Sequence, residues 1–224
     1  MSNLASTSNK HASNSALTRE RLISAALELF AERTIGAVSL NEITTRAGQK
    51  NRNALQYHFG NRQGLVQAVV DKYSSRVSDI RSEFISQFET AEMSPAEMAA
   101  SALIRPIIDY VSHNVEGVHF VQVISQIATT NAPARPKAPS YELHFPDDPK
   151  FTRLINEALH HLPAAEAHRR IFLAVSMVFH SIADIYRSAE SDDTPQVLSA
   201  RKEMVEQLVL AIESFFQAAP RQAG

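Results

Sequence analysis

The chain has no cysteine, which excludes a disulfide framework and any thiolate metal site and fits a reducing compartment. Long apolar runs are also missing. The longest, IFLAVSMVF at 171–179, falls well short of the roughly 18 residues that span a membrane. Residues 2–16 are rich in Ser, Asn and Ala and lack the apolar stretch of an export signal. The expected location is cytoplasmic, with no membrane partner. No segment alternates apolar and polar residues between hairpin turns, so no strand is expected. A Gly-rich phosphate loop, a nucleophile elbow and a His-Glu-x-x-His pair are all absent, which leaves no outline of an enzyme. Of the nine histidines, His160 and His161 are adjacent and point apart on a helix, while His168 and His180 have no carboxylate at a ligand spacing. Neither a metal nor a cofactor is expected.

What is present is an ordinary globular composition, 44% hydrophobic and 21% charged over 224 residues, enough for one or two domains with a substantial core. The net charge of −2 conceals a division. Residues 1–62 hold eight Lys or Arg against four Asp or Glu, a net of +4; subtracting these from the totals of 22 and 24 leaves fourteen against twenty, a net of −6, beyond residue 62. Phosphate contacts dominate nucleic-acid affinity, so the local charge is the relevant quantity.

The basic end contains SLNEITTRAGQKNRNALQYHFGNRQGL at 39–65. Ser39 followed by Glu42 has the form of a capping box, which places a helix start at Leu40. Leu40, Ile43 and Ala47 make a narrow apolar stripe of about two turns, and Gly48 supplies a sharp exit. Lys50, Asn51, Arg52, Asn53 and Gln56 then crowd a segment with little apolar content. Arg and Lys suit guanine edges and phosphates, Asn and Gln suit adenine edges, and a helix-turn-helix is the economical reading. A solvated face on an ordinary helical hairpin has the same composition.

Residues 18–70 resemble the DNA-binding domain of the tetracycline-repressor (TetR) family of bacterial transcriptional regulators. The resemblance rests on the opening helix RLISAALELFAER, the SLNEITTRAG helix and turn, and the specific signature YHFGNRQGL at 57–65. It implies that Tyr57 and His58 touch the DNA backbone at the end of the recognition helix while Phe59 packs inward. Where the family usually has a phosphate-holding Lys, this chain has Arg62, which keeps the charge. Thr34 stands where Gly is common, and the turn at Gln49 or Lys50 is one residue longer. The residues expected at DNA are Ser39, Lys50, Asn51, Arg52, Asn53, Gln56, Tyr57, His58 and Arg62. Asn51, Arg52, Asn53 and Gln56 are assigned to bases, and Lys50, Tyr57, His58 and Arg62 to the backbone.

Residues 1–17 read as a disordered arm from which Lys10 and His11 could reach a minor groove. Thr18 can cap the first helix, whose Leu22, Ile23, Ala26, Leu29 and Phe30 form its apolar face. Leu65 to Phe88 keeps helical spacing throughout, which makes one long helix; the resemblance gives it the task of coupling ligand occupancy to the separation of two DNA heads. Further helices are expected over about 96–112, with Pro106 kinking it, and over 117–129, 151–162, 164–188 and 194–218. Five prolines between 131 and 149 make a long loop. The expected organisation is a 1–17 arm, an 18–65 DNA-binding domain, a 66–218 effector and dimerisation domain, and a 219–224 tail. The fold class is all-α: an N-terminal three-helix helix-turn-helix domain plus a larger helical ligand-binding and dimerisation domain.

The last two helices are apolar over more than one face, and the resemblance implies that they pair with their copies in a homodimer. Phe179, Ile182, Tyr186, Leu208, Val209, Ile212 and Phe216 are assigned to that interface, though a plain internal core suits them as well. An effector pocket is implied in the second domain, and Leu103, Ile107, Tyr110, Phe120, Ile124, Phe172, Ser176 and His180 are taken as its wall, again against an ordinary core reading. Such a wall favours an apolar or amphipathic small molecule. The expected function is a dimeric repressor of double-stranded DNA, released from a pseudo-palindromic operator by that effector. The alternatives are a helical adaptor that binds a protein partner without reading DNA sequence, and a helical enzyme.

Overall fold

The computed structural model describes residues 3–51, 53–88, 92–130, 141–187 and 194–220. Arg52, the side chains of Lys10 and His11, and the proline-rich stretch from 131 to 140 lie outside the described residues. Among those described, all regular structure is helical. The helices are α1 (Asn3–Glu32), α2 (Leu40–Arg46), α3 (Ala54–Phe59), α4 (Arg62–Gln87), α5 (Pro95–His113), α6 (Val115–Thr130), α7 (Pro149–Ala158), α8 (Ala164–Arg187) and α9 (Pro195–Gln217), with a 3₁₀ turn at Ile35–Ala37. No described helix is long and apolar enough to cross a membrane.

Helix α1 corrects the expected arm. It continues back through Thr18 to Asn3, because the chain carries no Gly or Pro before Gly36 to interrupt it. Its second half buries Leu22, Ile23, Ala26, Leu29 and Phe30 as the periodicity requires, and from these residues one continuous apolar core extends as far as Phe216 on α9. Three helices start with one device, a polar cap followed by proline. Ser94 Oγ accepts from Glu97 N (3.1 Å), Asp148 Oδ1 from Phe151 N (3.1 Å) and Thr194 Oγ1 from Val197 N (3.3 Å), with Pro95, Pro149 and Pro195 next in line. Helix α4, 26 residues long, extends about 39 Å at the usual rise of about 1.5 Å per residue. Its first turns pack with α1 and α3, and its remainder packs against α5 and α7.

Pro106 lies inside α5 and leaves the carbonyl four residues earlier, Ala102 O, without its helical donor. Arg81 of α4 supplies the missing hydrogen bond through Nε (2.9 Å). The same guanidinium lies 3.8 Å from Asp148 and stacks 4.5 Å from the Phe151 ring centroid. Burial pulls the Arg81 pKa down while Asp148 opposes that shift. Asp148 thereby ties the start of α7 to the middle of α4. Just upstream, the described end of the proline-rich connection lies along the first turns of α4: Gln63 Nε2 donates to Glu142 O (2.6 Å), and Gln67 exchanges two hydrogen bonds with the main chain of His144 (2.7 and 3.0 Å).

Candidate nucleic-acid interface

The head is built from α1, α2, α3 and the first turns of α4. Ser39 and Glu42 form the full capping box: Ser39 Oγ accepts from Glu42 N (3.2 Å) and Ser39 N donates to Glu42 Oε2 (2.8 Å). These bonds to Ser39, followed by the one from Arg33, hold the Glu42 carboxyl down at about 2. Gly48 sits at φ +66°, the left-handed conformation that ends α2. Thr34 is extended, at φ −71° and ψ 145°, so the residue that replaces the family's usual glycine carries no strain.

Between Ala47 and Asn53 the chain forms a seven-residue connection, so Lys50, Asn51 and Asn53 precede the reading helix instead of lying on it. Asn51 explains the late start. Its Oδ1 accepts from Asn53 N (2.9 Å) and its carbonyl accepts from Ala54 N (3.1 Å), a side-chain-stabilised turn that sets up α3. That bond fixes the Asn51 amide and leaves one lone pair of its oxygen, with the NH2 group, for any further partner. Helix α3 buries Ala54 and Leu55 and turns Gln56 and Tyr57 outward, Tyr57 being 80% exposed. His58 and Phe59 are half-buried beside it, and burial followed by the nearby Arg19 lowers the His58 pKa.

Arg62 departs from its expected role. Nη1 donates to Ile35 O and Nη2 to Val38 O, both at 2.6 Å, so the planar fork holds the α1–α2 connection against the start of α4. A phosphate would have to compete with both carbonyls. Other head cations are also engaged: Arg46 lies 3.1 Å from Glu28 and 3.4 Å from Glu32, and Arg33 lies 2.9 Å from Glu42. Lys50 is exposed and forms no ion pair with any described residue. Arg19, which the sequence reading passed over, stands 5.3 Å from the Phe59 ring centroid and next to His58, at the edge of the same surface. Its spacing on α1 gave no sign of this, because α3 brings the partners to it.

Gly64 completes the geometry. A Cβ there would lie 2.1 Å from Phe59 O, so only glycine lets α4 leave α3 at this angle. A helix fixed by a capping box, a left-handed glycine turn and a short helix with an outward polar face together define a helix-turn-helix DNA-binding domain. Residues 22–69 match the sequence model of a family described as bacterial regulatory proteins, tetR family. Over those residues the chain carries the helix-turn-helix domain of that family.

Several solved structures resemble it. RolR in complex with resorcinol is 20% identical, with 95% of this chain and 100% of that one covered and a TM-score of 0.42. A gamma-butyrolactone receptor, an ArpA-like protein, is 21% identical over 90% and 98%, with a TM-score of 0.46. A TetR-family transcriptional regulator from Mesorhizobium loti is 16% identical over 90% and 96%, at 0.45. A search of curated proteins found no match.

The residues assigned to the effector wall divide between packed core and the outer face of α8. Leu103, Ile107, Tyr110, Phe120 and Ile124 are packed core, with the Phe120 ring 5.7 Å from Tyr73 and 6.4 Å from Tyr110, and burial raises the Tyr110 pKa to about 12. Phe172 and Ser176 are half-buried on α8 and His180 is exposed. A cleft of about 460 Å³ does open between α5, α6, α8 and α9, lined by Ile108, Val111, Val118 and Val205 together with the charged Arg201, Lys202 and the Arg105–Glu206 pair (2.9 Å). The residues assigned to the dimer interface also differ in how far the single chain covers them. Ile182, Ile212 and Phe216 are 0% exposed within the single chain, Leu208 and Val209 are buried, and Phe179 and Tyr186 are half-buried. On α9 the stripe of Val205, Leu208, Val209, Ile212 and Phe216 goes to the protomer's own core, whereas on α8 the buried apolar positions are Ala174, Val178, Ile182, Ala183 and Ile185 and the aromatic side chains stay half-buried. The apolar side chains left outside on these helices include Leu173 (47%) and Met177 (42%) on α8 and Met204 (53%) on α9.

Proposed function

We propose that the protein is a homodimeric repressor whose head reads a pseudo-palindromic operator and whose larger domain binds a small apolar or amphipathic molecule. The observation that carries the reading is the outer surface of the head. Lys50, Asn53, Gln56 and Tyr57 project together from a rigidly capped pair of helices, and a largely exposed tyrosine among amide and cationic side chains suits a phosphate backbone and base edges better than solvent alone. Gln56 and Asn53 are assigned to bases, Lys50, Tyr57 and Arg19 to the backbone, and Ser39 to the cap that holds α2. Two protomers join through Leu173, Met177 and Met204, and the effector occupies the cleft walled by Ile108, Val111, Val118 and Val205, whose size is ordinary for a small-molecule site. An effector that prefers one spacing of the heads shifts the DNA equilibrium by its differential affinity.

Selection of random duplex DNA on the purified protein near physiological salt tests the reading. Enrichment of a two-fold symmetric motif is expected. A folded, dimeric protein that enriches nothing, with or without prior removal of bound small molecules, would sink it.

A further inference from the structure

The head joins the rest of the molecule through α4 and through the apolar packing of α1 on α6, and, where α1 ends, through the main chain of a few residues. Where α1 ends, its last carbonyls have no helical donor, and the turn that follows has an amide without a helical acceptor. Gln126, half-buried on α6, serves both. Its Nε2 donates to Phe30 O (2.7 Å) and Arg33 O (3.3 Å), and its Oε1 accepts from Ile35 N (3.0 Å). The carbonyl of the same Ile35 accepts from Arg62 at the start of α4. The peptide units on either side of Ile35 are thus held from α6 and from α4, while its side chain is buried. Helix α6 packs along α1 and, on its other side, against α8, the helix that carries Leu173 and Met177.

We propose that Gln126 is a positioning residue for DNA binding. Its amide sets the angle at which each head leaves the body, and hence the separation of the two heads, without touching DNA. This rests on the dimeric operator-binding reading above. The amide does what no isostere can: it presents an acceptor to one main-chain group and a donor to two others. Gln126→Leu removes both functions at similar volume. Gln126→Glu keeps the acceptor but turns its second oxygen toward Phe30 O and Arg33 O, where oxygen opposes oxygen.

The test compares binding to the selected operator, to the same operator with its half-sites moved one or two base pairs apart, and to a single half-site. Wild type should prefer the native spacing. Gln126→Leu should shrink that preference on the order of five- to tenfold, the lower end of the usual site-to-site coupling, with Gln126→Glu shrinking it further. Half-site affinity and the salt slope should stay as in wild type. A spacing preference unchanged in both variants overturns the proposal. So does a loss of half-site affinity equal to the loss on the whole operator, which would make Gln126 a support of the head's own fold.

A second measurement is independent of DNA. Since the chain has no cysteine, Thr45→Cys and Val115→Cys, both at exposed positions, allow a spin-label pair to report the head-to-body distance in protomers diluted with unlabelled protein. Gln126→Leu should broaden that distribution, and an unchanged distribution overturns the proposal. If wild type binds no duplex at all, the operator reading falls, and the distance measurement still decides whether Gln126 holds the head.

Discussion

Replacing Arg62 separates two readings of one cation. In the sequence it stands where a phosphate-holding lysine is usual; in the structure its two terminal nitrogens each hold a main-chain carbonyl at 2.6 Å. A hydrogen bond to a charged group contributes about 1.5–3 kcal/mol net. Arg62→Lys keeps the charge but has one nitrogen for two separate carbonyls, so it should lose about one such bond, about 1.5–3 kcal/mol. Arg62→Met keeps the stem and loses both bonds. For a chain of this size about 1 kcal/mol shifts the midpoint by about 2–4 °C, so Arg62→Lys should melt roughly 3–12 °C lower and Arg62→Met lower still. Circular dichroism melts, paired with operator affinity measured across salt, check this. If Arg62 clamps the turn, all three proteins share one salt slope. If Arg62→Lys melts within about 1 °C of wild type while Arg62→Met lowers the slope by about one, the cation is on a phosphate and the clamp argument is wrong.

Gly64→Ala should disable DNA binding and destabilise the head by about 1–3 kcal/mol, because its methyl would meet the backbone at Phe59 O; a melt and an operator titration check both. The Glu42 pKa is depressed in the folded protein, so the stability it contributes is complete above the ordinary carboxyl value of 4.5 and disappears as pH falls through about 2; in Ser39→Ala this acid-dependent part of the stability profile should be smaller. Met177→Lys should convert the dimer to monomer in sedimentation while leaving the helical content unchanged, since the side chain is exposed in the protomer. Lys50→Ala should weaken binding to all sequences alike and lower the salt slope by about one, whereas Gln56→Ala should change the preferred base at one position of each half-site.

The elements that could be read from residue order are those whose cause is local. Ser39 and Glu42 interact across three residues, Gly48 needs only its own backbone freedom, and Ser94–Pro95 and Thr194–Pro195 announce helix starts without any tertiary partner. Asp148–Pro149 is the same signal, hidden among prolines that argue for a loop. What could not be read depends on distant partners. An Arg at the start of α4 looks alike whether it meets a phosphate or the carbonyls of Ile35 and Val38, 27 and 24 residues away. A helix apolar on two faces does not say which face turns inward, and only the packing of α9 shows Ile212 and Phe216 inside and Met204 outside. Gln126 is an unremarked polar position in an apolar helix until α1 is placed against it.

The gap that Pro106 leaves in α5 has a consequence for how the chain folds. The carbonyl of Ala102 finds its donor on Arg81, 21 residues away on a different helix, so α5 cannot complete its bonding by itself. A peptide of residues 95–113 would fray at its centre, where nucleation is already costly and the ladder lacks a rung. Order in α5 must therefore arrive together with the docking of α4, as one antiparallel hairpin event. The helix that runs from the DNA-reading head and the helix that borders the cleft come into being in the same step, and neither has a finished native form without the other.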